Sequence, residues 1–406
     1  MKYIVVLADG MGDFPIPQLD NKTPLEYAAT PNMDRLAAQA ELGMVRTVPP
    51  GMAPGSDVAN LSVLGYDPLK SYSGRSPLEA LSVGVQMEDT DVIFRANLVT
   101  LTEEEPYSQK TILDHSSGEI STEDADILMN AVRQAFQSDI LQFYTGTSYR
   151  HILVWQKGQV VDLEPPHDHL GCVIGDYLPK CDLLREMMEK SFSILNNHPL
   201  NLQRAAQGLN KANSLWFWGA GTKPSLENFQ SKTGLQGIMI SAVDLLKGIA
   251  VGADMTVAQV ENATGGLHTN YEGKAQAAID GLLKDGKDFA YVHVEAPDEM
   301  GHQGSAENKV LSIEYIDKRV IAPIVAAMQE SKTDFRLLLL PDHPTPITLR
   351  THTTDPVPYL LYDSTQVLGS ASQFSEKTAT QSGLMMPNGQ SLMRRFLESE
   401  RSMDNE

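Results

Sequence analysis

"DFRLLLLPDHPTP", residues 334–346, runs four leucines into a proline and then an Asp–His pair. Two other stretches have the same form. "KYIVVLADGMGD" (2–13) carries its apolar run to Asp9, and "DFAYVHVEAPDEMGH" (288–302) delivers Asp298 and His302. Apolar runs without polar alternation suit strands covered on both faces, as in a parallel sheet packed between helices. Such sheets gather their ligands outside the carboxyl ends of the strands. Asp9, Asp298, His302, Asp342 and His343 are therefore expected to converge at one sheet edge.

The segments around these runs read as helices. In "TPNMDRLAAQA" (30–40), Thr30 is an N-cap candidate and Pro31 suits the first turn. "GKAQAAIDGLLK" (273–284) is alanine-rich and amphipathic, and Val310, Ile313, Ile316, Val320 and Ile324 form one apolar stripe at helical spacing. Strand–helix alternation predicts a layered α/β domain with a mostly parallel sheet. The middle of the chain differs. Its strand-like pieces ("VIFRANLVTL", "YRHILVWQKGQVVDL") mix with a helical run, "EDADILMNAVRQAF", and a Pro/Gly/His loop, "EPPHDHLGCVIGDYLPK". The organisation expected is a discontinuous α/β domain over 1–90 and 211–406, with a smaller α+β domain inserted at 91–210 and a polar tail after Leu397.

Composition sets limits on function. A chain of 406 residues exceeds the usual size of one core, so two domains are expected. The formal charge of −20, without a dense Lys/Arg cluster, excludes a nucleic-acid partner and raises the prospect of carboxylates grouped around cations. No apolar run approaches the roughly 18 residues of a membrane span. Cys172 and Cys181 lack the number and spacing of a disulfide framework or a redox pair. With no secretory leader before the first strand, the cytoplasm is the expected compartment.

The candidate chemistry centres on Ser56. In "MAPGSDVANLSVLGYDP" (52–68) it follows a Pro–Gly turn and opens a short apolar helix pattern, the presentation expected of a nucleophile. There is no G-x-S-x-G elbow, and the first histidine in the chain is His115. Asp298 and His302 are four apart, one helical turn, so both can face one ion. The Asp342–His343 pair follows a strand directly, and His352 lies in the nearby loop "RTHTTDPVP". Mixed carboxylate and imidazole ligands suit zinc or manganese; all-oxygen sites suit magnesium or calcium better.

Taken together, these motifs resemble the alkaline phosphatase superfamily, and within it the archaeal-type cofactor-independent phosphoglycerate mutases. The resemblance runs through "ADGMGD", "TPNMDRLA", "PGSDVANLSVLGYDP", "SGRSPLEAL", "FRANLV", "YRH", "GAG", "ISAVDLLKGIA", "TNYEGKA", "DEMGHQG", "IEYID", "PDH" and "THTTDPVP". It implies two divalent cations, manganese or zinc first, with magnesium or cobalt behind them. It places Asp9, Ser56, Asp342 and His343 at one metal, and Asp298, His302 and His352 at the other. Ser56 falls at the phosphorylated serine, where a dication lowering the pKa of a bound oxygen makes a histidine base unnecessary. Lys247 falls near a lysine that steadies the phosphoryl group. Arg75, Arg95, Arg150 and His151, with His115, are the candidate contacts for a small phosphorylated or carboxylated metabolite, since arginine suits bidentate binding of such groups, and the inserted domain is the expected lid. The implied reaction is the glycolytic interconversion of 3- and 2-phosphoglycerate through phosphoserine.

The chain departs from that pattern at three places. Trp218 precedes "GAG" where an arginine is usual, "LDHSSGEI" replaces a basic stretch with His115 and Glu119, and His268 stands in "LHTNYEGK" for an aspartate. These changes resemble a bacterial subgroup proposed to be homoserine kinases, enzymes of threonine biosynthesis. A phosphotransferase using homoserine is thus the alternative function, and a non-catalytic binding protein the remote one. No P-loop motif is present, so ATP use would fall to the metal site.

Overall fold

The computed structural model describes residues 1–398 of the 406-residue chain. Its strands in chain order are β1 (Lys2–Ala8), β2 (Glu41–Val45), β3 (Val92–Leu101), β4 (Ile112–Asp114), β5 (Leu141–Tyr144), β6 (Arg150–Trp155), β7 (Ser214–Thr222), β8 (Gly237–Ile240), β9 (Thr256–Val257), β10 (Phe289–Val294), β11 (Phe335–Leu340), β12 (Val357–Asp363) and β13 (Met385–Met386). The fold is α/β. Two compact units form, one from 1–72 with 225–406 and one from 73–224.

In the first unit an eight-stranded sheet has the order β13–β2–β12–β11–β1–β10–β8–β9. β11, β1, β10, β8 and β9 are mutually parallel, and β12 joins antiparallel to both β11 and β2. The three apolar runs that decide the fold are therefore the three adjacent central strands β11, β1 and β10. Strand alternation sends Ile4, Val6, Ala290, Val292, Leu337 and Leu339 into one large core with the helices Tyr271–Leu283 and Ala306–Ile316. Val5, Leu7, Tyr291 and His293, all fully buried, take the opposite face.

The second unit is built on β3, whose ten residues are all buried. β4, β6 and β7 all pair with it antiparallel, and β5 pairs with β6. The boundaries expected at 91 and 210 lie inside this unit. It begins before the expected insertion because helix Arg75–Ser82 packs on β3 and β7, and it extends past 210 because β7 is the long partner of β3. The Pro/Gly/His loop contains two short 3-10 turns, Pro166–His169 and Ile174–Tyr177. Beyond Glu398 the polar tail lies outside the described residues.

The helical stripe through Ile324 is realised as Ala306–Ile316 and Ala322–Glu330, joined by a π-helical turn at Asp317–Ile321. That turn aims the Asp317 carboxylate at the backbone N–H groups of Asn32 and Met33, 3.0 and 2.7 Å away. Helix Pro31–Ala37 is thus capped from a distant element. Thr30 is the N-cap residue, as expected, but its side chain makes no capping bond, because Asp317 already takes those donors.

A buried ion pair ties together the loops that follow β1 and β11. Lys309 Nζ donates to Asp13 Oδ2 at 2.8 Å, to the Gly12 carbonyl at 3.2 Å and to the Thr345 carbonyl at 2.9 Å. Beside it, Glu376 accepts from the Thr23 hydroxyl at 2.6 Å, and burial pushes its carboxyl up to about 7. A carboxyl raised in the folded state binds more protons folded than unfolded, so stability falls as pH rises from about 4.5 to about 7. Chemical denaturation of Glu376→Gln across pH 5–7.5 should show a flatter loss of stability with pH than the wild type. An unchanged slope would show that Glu376 ionises normally in the fold.

Candidate active site

The loops after β1, β10 and β11 bring the sequence-predicted residues together in the first unit. Asp9 directly follows β1, and Asp342 follows β11 with only Pro341 between; Asp298 and His302 lie on helix Ala296–Gln303, which begins just beyond β10. Ser56 is the first residue of the eight-residue helix Ser56–Val63, entered from an extended Gly55. Its Oγ lies 3.1 Å from His343 Nε2 and 3.4 Å from Asp9 Oδ2. The start of a helix also supplies unfilled N–H groups and a positive dipole end, both suited to an anion.

Two ligand groups are present among the described residues. Asp298, His302 and His352 form one, and Asp9, Asp298 and His343 the other, with ligand atoms in each within 4.8 Å of one another. Asp298 thus stands between the two groups. Asp342 joins the second, with Oδ2 3.4 Å from His343 Nε2.

The histidine orientations carry the chemical information. His302 Nδ1 lies 3.0 Å from the Arg350 carbonyl, and His352 Nδ1 lies 3.3 Å from the Pro54 carbonyl. A carbonyl only accepts, so both Nδ1 atoms carry a proton and both Nε2 atoms face inward. Those two Nε2 atoms are 2.9 Å apart, and they lie 3.2 and 3.3 Å from the Asp298 carboxylate. His343 follows the same rule: its Nδ1 lies 3.3 Å from Thr345 Oγ1, a hydroxyl that itself donates to Asp298. Without a cation, a shared proton and the Asp298 carboxylate hold the His302 and His352 Nε2 atoms together, and three imidazoles converging on carboxylates are also the arrangement of a ligand set. They fit a cation.

Charge points the same way. Burial, reinforced by Asp342 and Asp298, pushes the Asp9 carboxyl well above the usual carboxylate range. Its Oδ1 atom is buried and has no hydrogen-bond partner among the described residues. Burial also opposes ionisation of Asp342, but His343 and the hydrogen bonding it shares with Asp9 hold it low. Burial likewise opposes ionisation of Asp298, and its contacts with His302 and His352 outweigh that. Asp298 in turn raises His302 to about 9. The donor set, carboxylate oxygens with imidazole nitrogens and one hydroxyl, fits divalent cations.

Lys247 lies on helix Asp244–Gly252 with Nζ 3.5 Å from Asp244 Oδ1, an ordinary half-exposed pair. Sequence reasoning missed a second lysine, Lys274, which is fully buried and donates to the His293 carbonyl at 2.9 Å. Burial lowers it to about 8, and Asp9 and Glu295 act on it from nearby. A lysine inside an alanine-rich amphipathic pattern carries no sign of this placement.

The remaining predicted residues belong to the second unit. Arg95 Nη1 lies 2.6 Å from both oxygens of Glu79, and Arg75 Nε lies 2.9 Å from the same carboxylate. The Arg95 guanidinium also stacks 5.2 Å from the Trp218 ring, whose indole N–H donates to Asn97 Oδ1 at 3.1 Å. Arg150 lies over Tyr149 at 5.2 Å, and the His115 ring is edge-on to Tyr149 and to His167. His151 is fully buried on β6, where its Nδ1 accepts from the Gly146 N–H at 3.2 Å and burial lowers it to about 3. Arg95 Nε and His115 Nδ1 are buried without a hydrogen-bond partner among the described residues. Glu79, Asn97 and His167 were not singled out from the sequence. Glu119 is exposed.

Fold and site together define a layered α/β protein with a helix-start serine set against two groups of cation-type ligands. A family model for 2,3-bisphosphoglycerate-independent phosphoglycerate mutase matches residues 37–201. A Geobacter sulfurreducens protein described as a probable enzyme of that name is 46% identical, over 98% of this chain and 100% of the relative. The Methanosarcina barkeri enzyme of the same name is also 46% identical, over 95% of this chain and 96% of its own. Among solved structures, a Pyrococcus horikoshii protein superposes with a TM-score of 0.81 at 30% identity, covering 98% of this chain and 97% of that one. The cofactor-independent phosphoglycerate mutase of Thermoplasma acidophilum gives 0.66 at 25% identity, covering 98% and 99%. The chain belongs to the 2,3-bisphosphoglycerate-independent phosphoglycerate mutase family.

The crowding of carboxylates makes a prediction about metal-stripped protein. Because Asp9 ionises at a cost in the folded state, removing its charge should help the apo fold. Asp9→Asn, melted in chelator at pH 7.5, is expected to unfold a few degrees above the wild type. A lower melting temperature for the variant would mean that the buried charges are already compensated by the protein.

Proposed function

We propose that the protein interconverts 3-phosphoglycerate and 2-phosphoglycerate by phosphoryl transfer through phosphoserine at Ser56, with two divalent cations. The observation that carries this reading is the position of Ser56 Oγ, 3.1 Å from the inward-facing Nε2 of His343 and 3.4 Å from Asp9. Asp9, Ser56, Asp342 and His343 would hold one cation, and Asp298, His302 and His352 the other. Bound there, the cations would supply positive charge that favours the Ser56 alkoxide and offsets charge on the phosphoryl oxygens.

The chain's own residues do the rest. The start of helix Ser56–Val63 presents backbone N–H groups to the phosphoryl group, and Asn60 holds the Ser56 carbonyl at 2.8 Å so that the nucleophile stays in place. The Ser56 oxygen attacks phosphorus, and the phosphoryl group leaves its first hydroxyl. Return of the group to the other hydroxyl of the same glycerate completes the isomerisation. Lys247 and Lys274 are the cations proposed to steady the phosphoryl group. Arg75, Arg95 and Arg150, with His115 and His151, are proposed to carry substrate recognition, since guanidinium groups match carboxylate and phosphate.

A second reading, a homoserine kinase-type phosphotransferase, keeps Ser56 and the cation ligands and changes donor and acceptor. The Glu79 carboxylate favours it. Burial opposes its ionisation, but Arg95 and Arg75 hold it low, so part of the arginine charge in that cluster is already neutralised. One side-by-side assay separates the two: 3-phosphoglycerate alone against ATP with homoserine, each with manganese. Rapid interconversion of the phosphoglycerates is expected, and homoserine phosphorylation without it would overturn the mutase reading.

Ser56→Ala is expected to lower turnover by several orders of magnitude, as deletion of a nucleophile does. Rapid-quench peptide mapping of the wild type should find phosphate on Ser56. Phosphate on Ser62 or Ser73 instead would show that another serine is the nucleophile.

A further inference from the structure

Strand β10 sends two polar side chains, Tyr291 and His293, onto its otherwise apolar buried face, and neither belongs to the ligand set. Both are fully buried. His293 Nε2 lies 2.8 Å from Asp9 Oδ2, and its Nδ1 lies 3.1 Å from Ser241 Oγ. Ser241 Oγ already accepts the Val243 N–H at 3.0 Å, so its own proton is available for His293 Nδ1. With a cation bound, Asp9 is ionised and only accepts, so Nε2 then carries the ring proton and donates it to Asp9. The chain Val243 N–H, Ser241 hydroxyl, His293 imidazole and Asp9 carboxylate therefore runs in one direction with every donor matched.

Tyr291 does the equivalent two residues earlier. Its hydroxyl donates to Asn60 Oδ1 at 2.6 Å, which fixes the Asn60 amide so that Nδ2 donates to Asp342 Oδ2 at 3.0 Å and to the Ser56 carbonyl at 2.8 Å. The two-residue period of the strand places both side chains on the face where Asp9 and Asp342 sit.

We propose that Tyr291 and His293 are positioning residues. They orient Asp342 and Asp9 toward the cation site that includes Ser56, with Asp9 Oδ1 left without a hydrogen bond among the described residues. This rests on the cation reading given above. Outer-shell donors of this kind tune metal affinity by about 10- to 100-fold. The group formed by Asp298, His302 and His352 is held instead by backbone carbonyls and Thr345, so β10 serves one of the two sites.

Mn2+ binding to chelator-stripped full-length protein, followed by the electron paramagnetic resonance signal of the unbound ion, reads this directly. Wild type is expected to take up two equivalents. His293→Leu is expected to weaken one equivalent by about 10- to 100-fold and leave the other unchanged. His293→Gln, which can return an N–H to Asp9, should recover most of the loss, a rescue that a purely space-filling role would not show. Tyr291→Phe should weaken the same single equivalent, and it serves as the test if His293→Leu does not fold. A wild type with two equivalents and variants indistinguishable from it would overturn this inference alone. A wild type that takes up no Mn2+ would bring down the cation reading and this inference with it.

Discussion

Three carboxylates, Asp9, Asp298 and Asp342, are buried together at the carboxyl edge of a parallel sheet, and the arrangement of the site follows from that constraint. Isolated ionised carboxylates in a dry site are unstable, and like charges side by side more so. The protein answers in part with protons and hydrogen bonds. Asp342 is held by the N–H groups of Gly10 and His343 and by Asn60, and Asp298 by Thr345 and two imidazoles. Asp9 keeps a buried oxygen without a hydrogen-bond partner among the described residues and a raised affinity for protons. The strain that remains is what two cations would relieve. A site built this way holds its function at the expense of the apo fold.

The same constraint explains the histidines. Each of His302, His343 and His352 spends its Nδ1 proton on an outward partner and turns Nε2 inward. This answers the question that Ser56 poses in a chain without a nucleophile elbow. The nearest histidine is His343, yet its lone pair belongs to the ligand group. The serine sits among the proposed cation ligands, at a helix start, with Asn60 fixing its backbone.

The three central strands were legible in sequence because burial on both faces leaves an uninterrupted apolar run, and the first polar residues beyond such a run fall at the sheet edge. Asp9, Asp298, Asp342 and His343 are of that kind. His293 and Tyr291 were not legible, since a histidine or tyrosine inside a strand has the same appearance whether it fills core or orients a ligand. Their partners, Asp9 and Asn60, are set by sheet register and by a helix more than two hundred residues away in sequence. Lys274 and Glu79 were hidden for the same reason, one inside an amphipathic helix and one beside an arginine that only the fold brings near. The limits of the second unit were not legible, because composition does not change where β7 returns to pair with β3.

The central claim is that the buried carboxylates and inward-facing imidazoles exist to hold two cations around Ser56. Anomalous diffraction at the manganese edge, from crystals grown with Mn2+, tests it most directly. The account predicts two anomalous peaks, one bounded by Asp9, Ser56, Asp342 and His343 and one by Asp298, His302 and His352. Density showing the same side-chain positions with no anomalous peak between them, in protein that is catalytically active, would contradict it.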